Sequence, residues 1–337
     1  MVRLESALST RRMTWVVQQS ARVDALRRAG GRVHVLGEYH GSLRGLAPVL
    51  WRSLMVVLRD RPRLVITSGS GIVVPFCLLA RLTGAKIIFV ETSAQVYGPS
   101  RSGRVLSRIA NRVIVQWKEM CHVYRGATPA RASVLDGIAT RLADGGEGLF
   151  LAVGTHSQPF DRLVALVDRA AADGVVPQPV HAQVGVSGYE MRHGHARDFI
   201  SPEEMGEAVS RARFVVTHAG TGTIEMALRA GRRPLVLARK GALGEHFNDH
   251  QQQVVDKLGS LGLVVPLDEQ ITADDLAAAA APLPRAEGLP QVPVLADCLR
   301  VAVAEVNAVE RRPGRISAGI RRRMRSAGAR RLTRPRL

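Results

Sequence analysis

Ten short apolar runs rich in Val, Ile and Leu punctuate the chain, and between them apolar positions recur at a period near 3.6. The first series is MTWVV (13–17), RVHVLG (32–37), RLVITSG (63–69), IIFVET (87–92) and RVIVQW (112–117). The second is LFLAVGT (149–155), VHAQVG (180–185), FVVTHAG (214–220), PLVLAR (234–239) and LVVPL (263–267). Residues 160–174 and 246–262 carry the helical period. Strands without polar alternation, each followed by a helix, predict parallel sheets covered on both faces, an α/β class of fold. Ser201, Pro202 and Glu204 read as an N-cap, a first-turn proline and a capping-box acid, and Thr272 with Asp274 and Asp275 reads as a second helix start.

Residues 125–147 lack a strong strand and hold a Gly-Gly-Glu break, which sets the boundary between a domain over 1–143 and a second over 147–308, followed by a tail over 309–337. Two domains also suit 337 residues.

The formal charge of +18 changes the picture less than its size suggests. Residues 311–337 hold eleven arginines and no acid, leaving +7 on the rest. With 4% aromatic residues and no nucleic-acid motif among the arginines, stacking platforms are not expected, so no nucleic acid is expected as a partner. The clusters at 321–325 and 330–336 suit an anionic bilayer, the alternative being a solubilising tail. Cys77, Cys121 and Cys298 are far apart and form no CxxC pair, which fits a reducing cytoplasm. The opening residues lack the apolar core of a signal peptide, and the apolar stretch at 46–58, broken by Arg52 and Ser53, is too short for a bilayer, so membrane contact is expected to be peripheral.

The segment 214–239 carries the most chemistry. A strand delivers His218, Ala219, Gly220, Thr221, Gly222 and Thr223 into a tight turn from which a helix starts, a geometry that turns backbone N–H groups toward a diphosphate. Glu225, further along that helix, could accept from a ribose diol. The plainer reading is a glycine turn joining strand to helix. Next, 244–253 gathers Glu245, His246, Asn248, Asp249, His250, Gln251 and Gln252 after a strand, groups that suit sugar hydroxyls or simply a polar helix start. The histidines lack an HExxH pattern, so no metal is expected. In 149–163 a strand ends at Gly154 and Thr155, which with His156 line the same end of the sheet, while Phe160 and Leu163 read as core.

Together, GT followed by PFDRL, then HAGTGTIEMAL, then EHFNDHQ resemble the donor half of glycosyltransferase family 28 over most of 148–268. The likeness is to the catalytic subunit of the eukaryotic UDP-N-acetylglucosamine transferase that makes dolichol-linked chitobiose, and equally to its bacterial counterpart in exopolysaccharide synthesis. Residues 65–94 and 98–117, ending in VQW, are similar to the membrane-associating partner subunit, so the chain resembles the two subunits fused. The resemblance implies a GT-B fold: two doubly wound parallel-sheet domains, with the active site in the cleft between them. It implies an inverting transfer from a UDP-sugar to a polyprenyl-diphosphate-linked saccharide, without a cofactor, by a cytoplasmic enzyme lying against the inner face of the plasma membrane. The implied donor-site residues are Gly220, Thr221, Gly222 and Thr223 at the diphosphate, Glu225 at the ribose, and Asp249, His250, Gln251 and Gln252 near the sugar. Where the family opens with a strand and a Gly-Gly-His loop, no such loop precedes 13–17, so the first strand is expected to be lacking. That removes the usual histidine base and leaves Glu91, at the end of IIFVE, as the candidate, its alternative being an acid that caps the following turn. Rival functions are a UDP-sugar 2-epimerase of the same fold and a basic nucleic-acid-binding protein.

Overall fold

The computed structural model describes residues 8, 13–19, 22–37, 43–139, 143, 145–246, 250–284 and 292–311. The arginine tail beyond 311 and Asp249 lie outside the described residues. The first half runs β1 (Thr14–Val17), α1 (Arg22–Arg28), β2 (Arg32–Val35), α2 (Leu43–Asp60), β3 (Leu64–Thr67), α3 (Val74–Leu82), β4 (Lys86–Val90), α4 (Arg101–Ile109), β5 (Arg112–Val115) and β6 (Thr128–Pro129). The second runs β7 (Glu147–Ala152), α5 (Asp161–Ala172), β8 (Val180–Gln183), β9 (His195–Arg197), α6 (Pro202–Arg211), β10 (Ala212–His218), α7 (Thr221–Arg229), β11 (Leu235–Leu237), α8 (His250–Ser260), β12 (Val265–Pro266), α9 (Ala273–Ala280) and α10 (Leu295–Arg311).

Every strand pairing is parallel. The second half forms one sheet in the order β12-β11-β10-β7-β8-β9, which places the ends of β7, β10 and β11 side by side at one edge. Among the described residues the first half forms two sheets: β1 pairs with β2, while β3, β4, β5 and β6 form a separate ladder.

Continuous apolar strands are buried as their composition requires. Leu149, Leu151, Val153, Val180, Val216 and Leu235 pack with Phe160, Leu163 and Val167 of the α5 segment. A second cluster draws on both halves, joining Phe89, Val115, Trp117 and Met120 to Val236, Val254, Val255 and Leu258. The last helix leaves its own half: Leu295, Leu299, Ala302 and Val306 of α10 pack against Ile88, Val90 and Ile114 of the first half. Both predicted caps form, Ser201 with Glu204 and Thr272 with Asp275, each as a reciprocal capping box.

Candidate donor site at the ends of β7, β10 and β11

In an open parallel sheet, ligands gather at the carboxyl ends of the strands. Here β10 ends at His218, and Gly220 caps α7 with extended backbone (φ −75°, ψ 115°). The amides of Thr223 and Ile224 turn back onto the Gly220 carbonyl. Thr221 and Gly222 then supply the first-turn amides that have no acceptor within the helix.

The neighbouring strand explains a second glycine. Gly154 has φ +84°, and a Cβ at either Gly154 or Gly220 would collide with the His218 imidazole, which lies between the two turns. His218 is thereby a spacer holding the β7 and β10 turns in register. Burial first, then the positive charge of Arg239, depress its pKa from 6.5 to about 4, so the ring is neutral. Burial, His246 and Arg239 depress His156 in the same direction. Its ring lies 5.0 Å from His246, which in turn lies 4.8 Å from His250. The histidines of the three predicted segments therefore meet at one place.

Other predicted residues are committed elsewhere. The Gly154 N–H donates to Gln183 Oε1 (3.1 Å), and Gln183 Nε2 donates to the Gly154 carbonyl (3.0 Å). Thr155 is exposed beside it. Glu225 accepts from Arg229 Nε at 3.0 Å, one turn along α7. Glu245 departs from its expected place on the sugar: its carboxylate is gripped by Arg162 Nε (2.9 Å) and Nη2 (2.8 Å) and by the Lys240 N–H (2.8 Å). Gln251 is buried and its Oε1 accepts from the Arg239 N–H at 3.1 Å. Gln252 is exposed and donates to Asp256.

Glu91 needs a correction. It has no exposed surface, and four donors occupy its two oxygens: the Thr92 N–H (2.9 Å) on Oε1, and the Ser100 N–H (3.2 Å), Ser100 Oγ (3.1 Å) and Tyr124 Oη (2.5 Å) on Oε2. Burial and this carboxylate raise the Tyr124 pKa, so the phenol keeps its proton and donates. Buried without exposed surface and held by these donors, the carboxylate is out of reach of an acceptor hydroxyl in this structure. Its position ties the loop over 92–100 to the sheet and to Tyr124, the capping alternative raised by its sequence.

Arg239, a residue the sequence reading did not single out, is the hub of the site. It is 1% exposed. Nη1 donates to the carbonyls of Gln158 (2.9 Å), Pro159 (3.1 Å) and Glu245 (3.0 Å), and Nη2 to that of Val153 (3.0 Å). Its guanidinium lies 4.6 Å from the Phe160 ring centre. One side chain thus ties the loop at 153–159 to the loop at 245, two of the three that the motifs identified. Among the described residues, no group of three or more His, Cys, Asp or Glu could hold a metal ion.

Comparison with solved structures defines the class. The fold matches MurG of Acinetobacter baumannii (TM-score 0.52, 16% identity, 79% of this chain and 80% of that one). It also matches a UDP-GlcNAc 2-epimerase from Methanocaldococcus jannaschii, solved with UDP-GlcNAc and UDP (TM-score 0.60, 9% identity, 91% and 94%). The chain has the GT-B fold. Family comparison then specifies the two parts. Residues 9–130 match the family described as "Oligosaccharide biosynthesis protein Alg14 like", and 149–283 match "Glycosyltransferase family 28 C-terminal domain". The chain thus joins, in one two-part polypeptide, an Alg14-like half to a glycosyltransferase family 28 C-terminal domain.

Among curated relatives, mouse UDP-N-acetylglucosamine transferase subunit ALG14 is 36% identical over 81 residues, 22% of this chain and 37% of that protein. The UDP-N-acetylglucosamine–N-acetylmuramyl-(pentapeptide) pyrophosphoryl-undecaprenol N-acetylglucosamine transferase of Xylella fastidiosa (strain Temecula1) is 26% identical over 258 residues, 72% and 68%. The chain thus spans little more than a third of the mouse relative's length and about two thirds of the bacterial one's.

Proposed function

We propose that this chain is an inverting glycosyltransferase that moves a sugar from a UDP-sugar to a polyprenyl-diphosphate-linked saccharide. The observation that carries the reading is the bend at Gly220–Thr223, where first-turn amides of α7 face the carboxyl edge of the sheet beside Gly154 and His218. Such a bend suits a diphosphate, both as hydrogen-bond acceptor and as anion. In the displacement, the acceptor oxygen bonds to the anomeric carbon. The bond from that carbon to the β-phosphate oxygen breaks, its electron pair leaves with UDP, and the hydroxyl proton passes to a base. Donors fixed in advance at the diphosphate favour the charge that develops there. Gly154, Thr155, His218, Gly220, Thr221, Gly222 and Thr223 are assigned to the donor diphosphate side. Glu225 is assigned to the ribose, and His250, Gln251 and Gln252, together with Asp249, to the sugar. The domains are assigned as 1–143 for the acceptor and 147–308 for the donor, with α10 returning to the first.

The working place proposed is the surface of an anionic membrane. Trp51 (63% exposed), Met55 and Leu58 on α2, with Leu78 and Leu82 on α3, present large apolar side chains to solvent. Arg59, Arg61, Arg63 and Arg81 are exposed nearby, and Arg61 and Arg63 line a pocket of about 480 Å³ with Val57, Leu58 and Pro62. Apolar side chains ringed by arginines suit a surface-bound, not a spanning, protein. No helix among the described residues is long and apolar enough to cross a membrane.

The test is a panel of UDP-sugars, UDP-N-acetylglucosamine first because the relatives' names carry it, offered with a polyprenyl-diphosphate monosaccharide. Product should require the lipid-linked acceptor. A C2-epimerised UDP-sugar formed without acceptor would replace this reading with the epimerase.

A further inference from the structure

Around the donor site, two guanidinium groups share one carboxylate. Glu245 is the acid that acts on Arg239, yet its two oxygens are bound by Arg162 and the Lys240 amide, and Arg239 reaches only its main-chain carbonyl. Arg239 therefore sits buried among neutral carbonyl oxygens. Its Nε is also buried, with no hydrogen-bond partner among the described residues. Burying a cation without its own counter-ion is costly, and burial pulls the Arg239 pKa below the ordinary arginine value. Such an arrangement is favoured when an anion arrives within Coulomb range.

The place for that anion follows from the packing. Arg239 holds the Val153 carbonyl, immediately before Gly154; Gly154 abuts the His218 ring, and the ring abuts Gly220. The other titratable groups facing His218, namely His156 and His246, add no negative charge. The guanidinium thus lies against the end of β7, one residue before the Gly154 turn, and near enough to act electrostatically on the His218 ring between the turns.

We infer that Arg239 is a positioning residue whose fixed charge, acting through the turns at Gly154 and Gly220 without touching the ligand, selects a diphosphate-bearing nucleoside, and that the bound diphosphate is the counter-ion this guanidinium lacks. The inference rests on the donor-site reading above and adds a residue to it. Since all four hydrogen bonds donated by the Arg239 side chain go to carbonyls of the loops at 153–159 and 245, the same side chain sets loop geometry and local potential. Ligand choice separates the two roles.

Titration of the full chain with UDP and with uridine, by calorimetry, tests it. Arg239→Gln should weaken UDP about tenfold or more while uridine changes by less than about twofold, because removal of one nearby charge acts on the anion alone. Arg239→Lys, which keeps the charge, should retain most of the preference for UDP over uridine. Glu245→Gln, which removes the local negative charge, should raise that preference. Parallel loss of both ligands in Arg239→Gln, or an unchanged ratio, overturns the electrostatic role. Should Arg239→Gln not fold, Glu245→Gln decides: an unchanged or lower ratio of UDP to uridine affinity overturns it. An unaltered chain that binds UDP no better than uridine overturns the donor-site reading itself, an outcome distinct from a preference that survives in Arg239→Gln.

Discussion

Glu91 and Glu245 show how far a residue's chemistry depends on neighbours remote in sequence. Each carboxylate follows a strand in a position where an enzyme could use it, and each is engaged by partners: Glu91 by Thr92, Ser100 and Tyr124, Glu245 by Arg162, 83 positions earlier, and Lys240. The capping reading of Glu91 anticipates its bonds to Thr92 and Ser100, but no local pattern announces Tyr124 or Arg162. The glycine bend was legible because its chemistry is carried by backbone and by contiguous residues. Arg239 was not, since an arginine ending the run PLVLAR reads as a surface charge. Glu91→Gln separates structure from catalysis: it should lower stability by about 2 kcal/mol, because a charged acceptor is lost from buried donors. Thermal melts should show that drop, and at low temperature the variant should keep turnover within a few fold. A variant with unaltered melting and turnover reduced by about a thousandfold would restore Glu91 as the base.

At the level of elements, all ten apolar runs became strands, and both cap signals became capping boxes, because burial and local hydrogen bonding act at short range. The two strands left unread, β6 and β9, have two and three residues, and β9 (His-Ala-Arg) is exposed throughout, so neither offers an apolar signal. Partnership between elements was equally hidden. One face of α8 joins the core shared by both halves through Val254, Val255 and Leu258. Alongside, Lys257 Nζ meets Glu119 Oε1 at 2.6 Å and lies 5.9 Å from the Trp117 ring centre, and the Tyr97 N–H donates to Gln253 Oε1 at 3.3 Å. Burial, the largest single influence, pushes the Glu119 pKa up, but the Lys257 hydrogen bond, a backbone hydrogen bond and the charges of Lys257 and Lys118 together hold the carboxyl below its ordinary value. The helix that begins at His250 and Gln251 is thereby clamped by the first half. Glu119→Lys and Lys257→Glu should each destabilise the chain, and the double exchange should recover up to about 1 kcal/mol of coupling for so partly exposed a pair. A double-mutant cycle in chemical denaturation measures it; strictly additive losses would remove the clamp from the account.

For the molecule as a whole, alternation of strand and helix predicted the two-part α/β architecture, but not how the strands divide among sheets or that α10 crosses back to β4 and β5, since neither leaves a periodic trace. Charge and apolar surface are likewise whole-molecule properties. The arginines of 311–337 provide attraction that any anionic surface would satisfy, whereas the apolar side chains of α2 and α3 gain only from a hydrocarbon boundary. These two contributions respond differently to salt: screening weakens the first and leaves the second largely intact. Trp51→Glu with Leu58→Glu should therefore abolish the salt-resistant part of co-sedimentation with vesicles of anionic phospholipid, while truncation at 311 should abolish the salt-sensitive part. Both residues are exposed on α2, so melting should be unchanged. If the double glutamate variant sediments like the unaltered chain at high salt, α2 and α3 do not form a membrane face, and the proposed attachment through them is withdrawn.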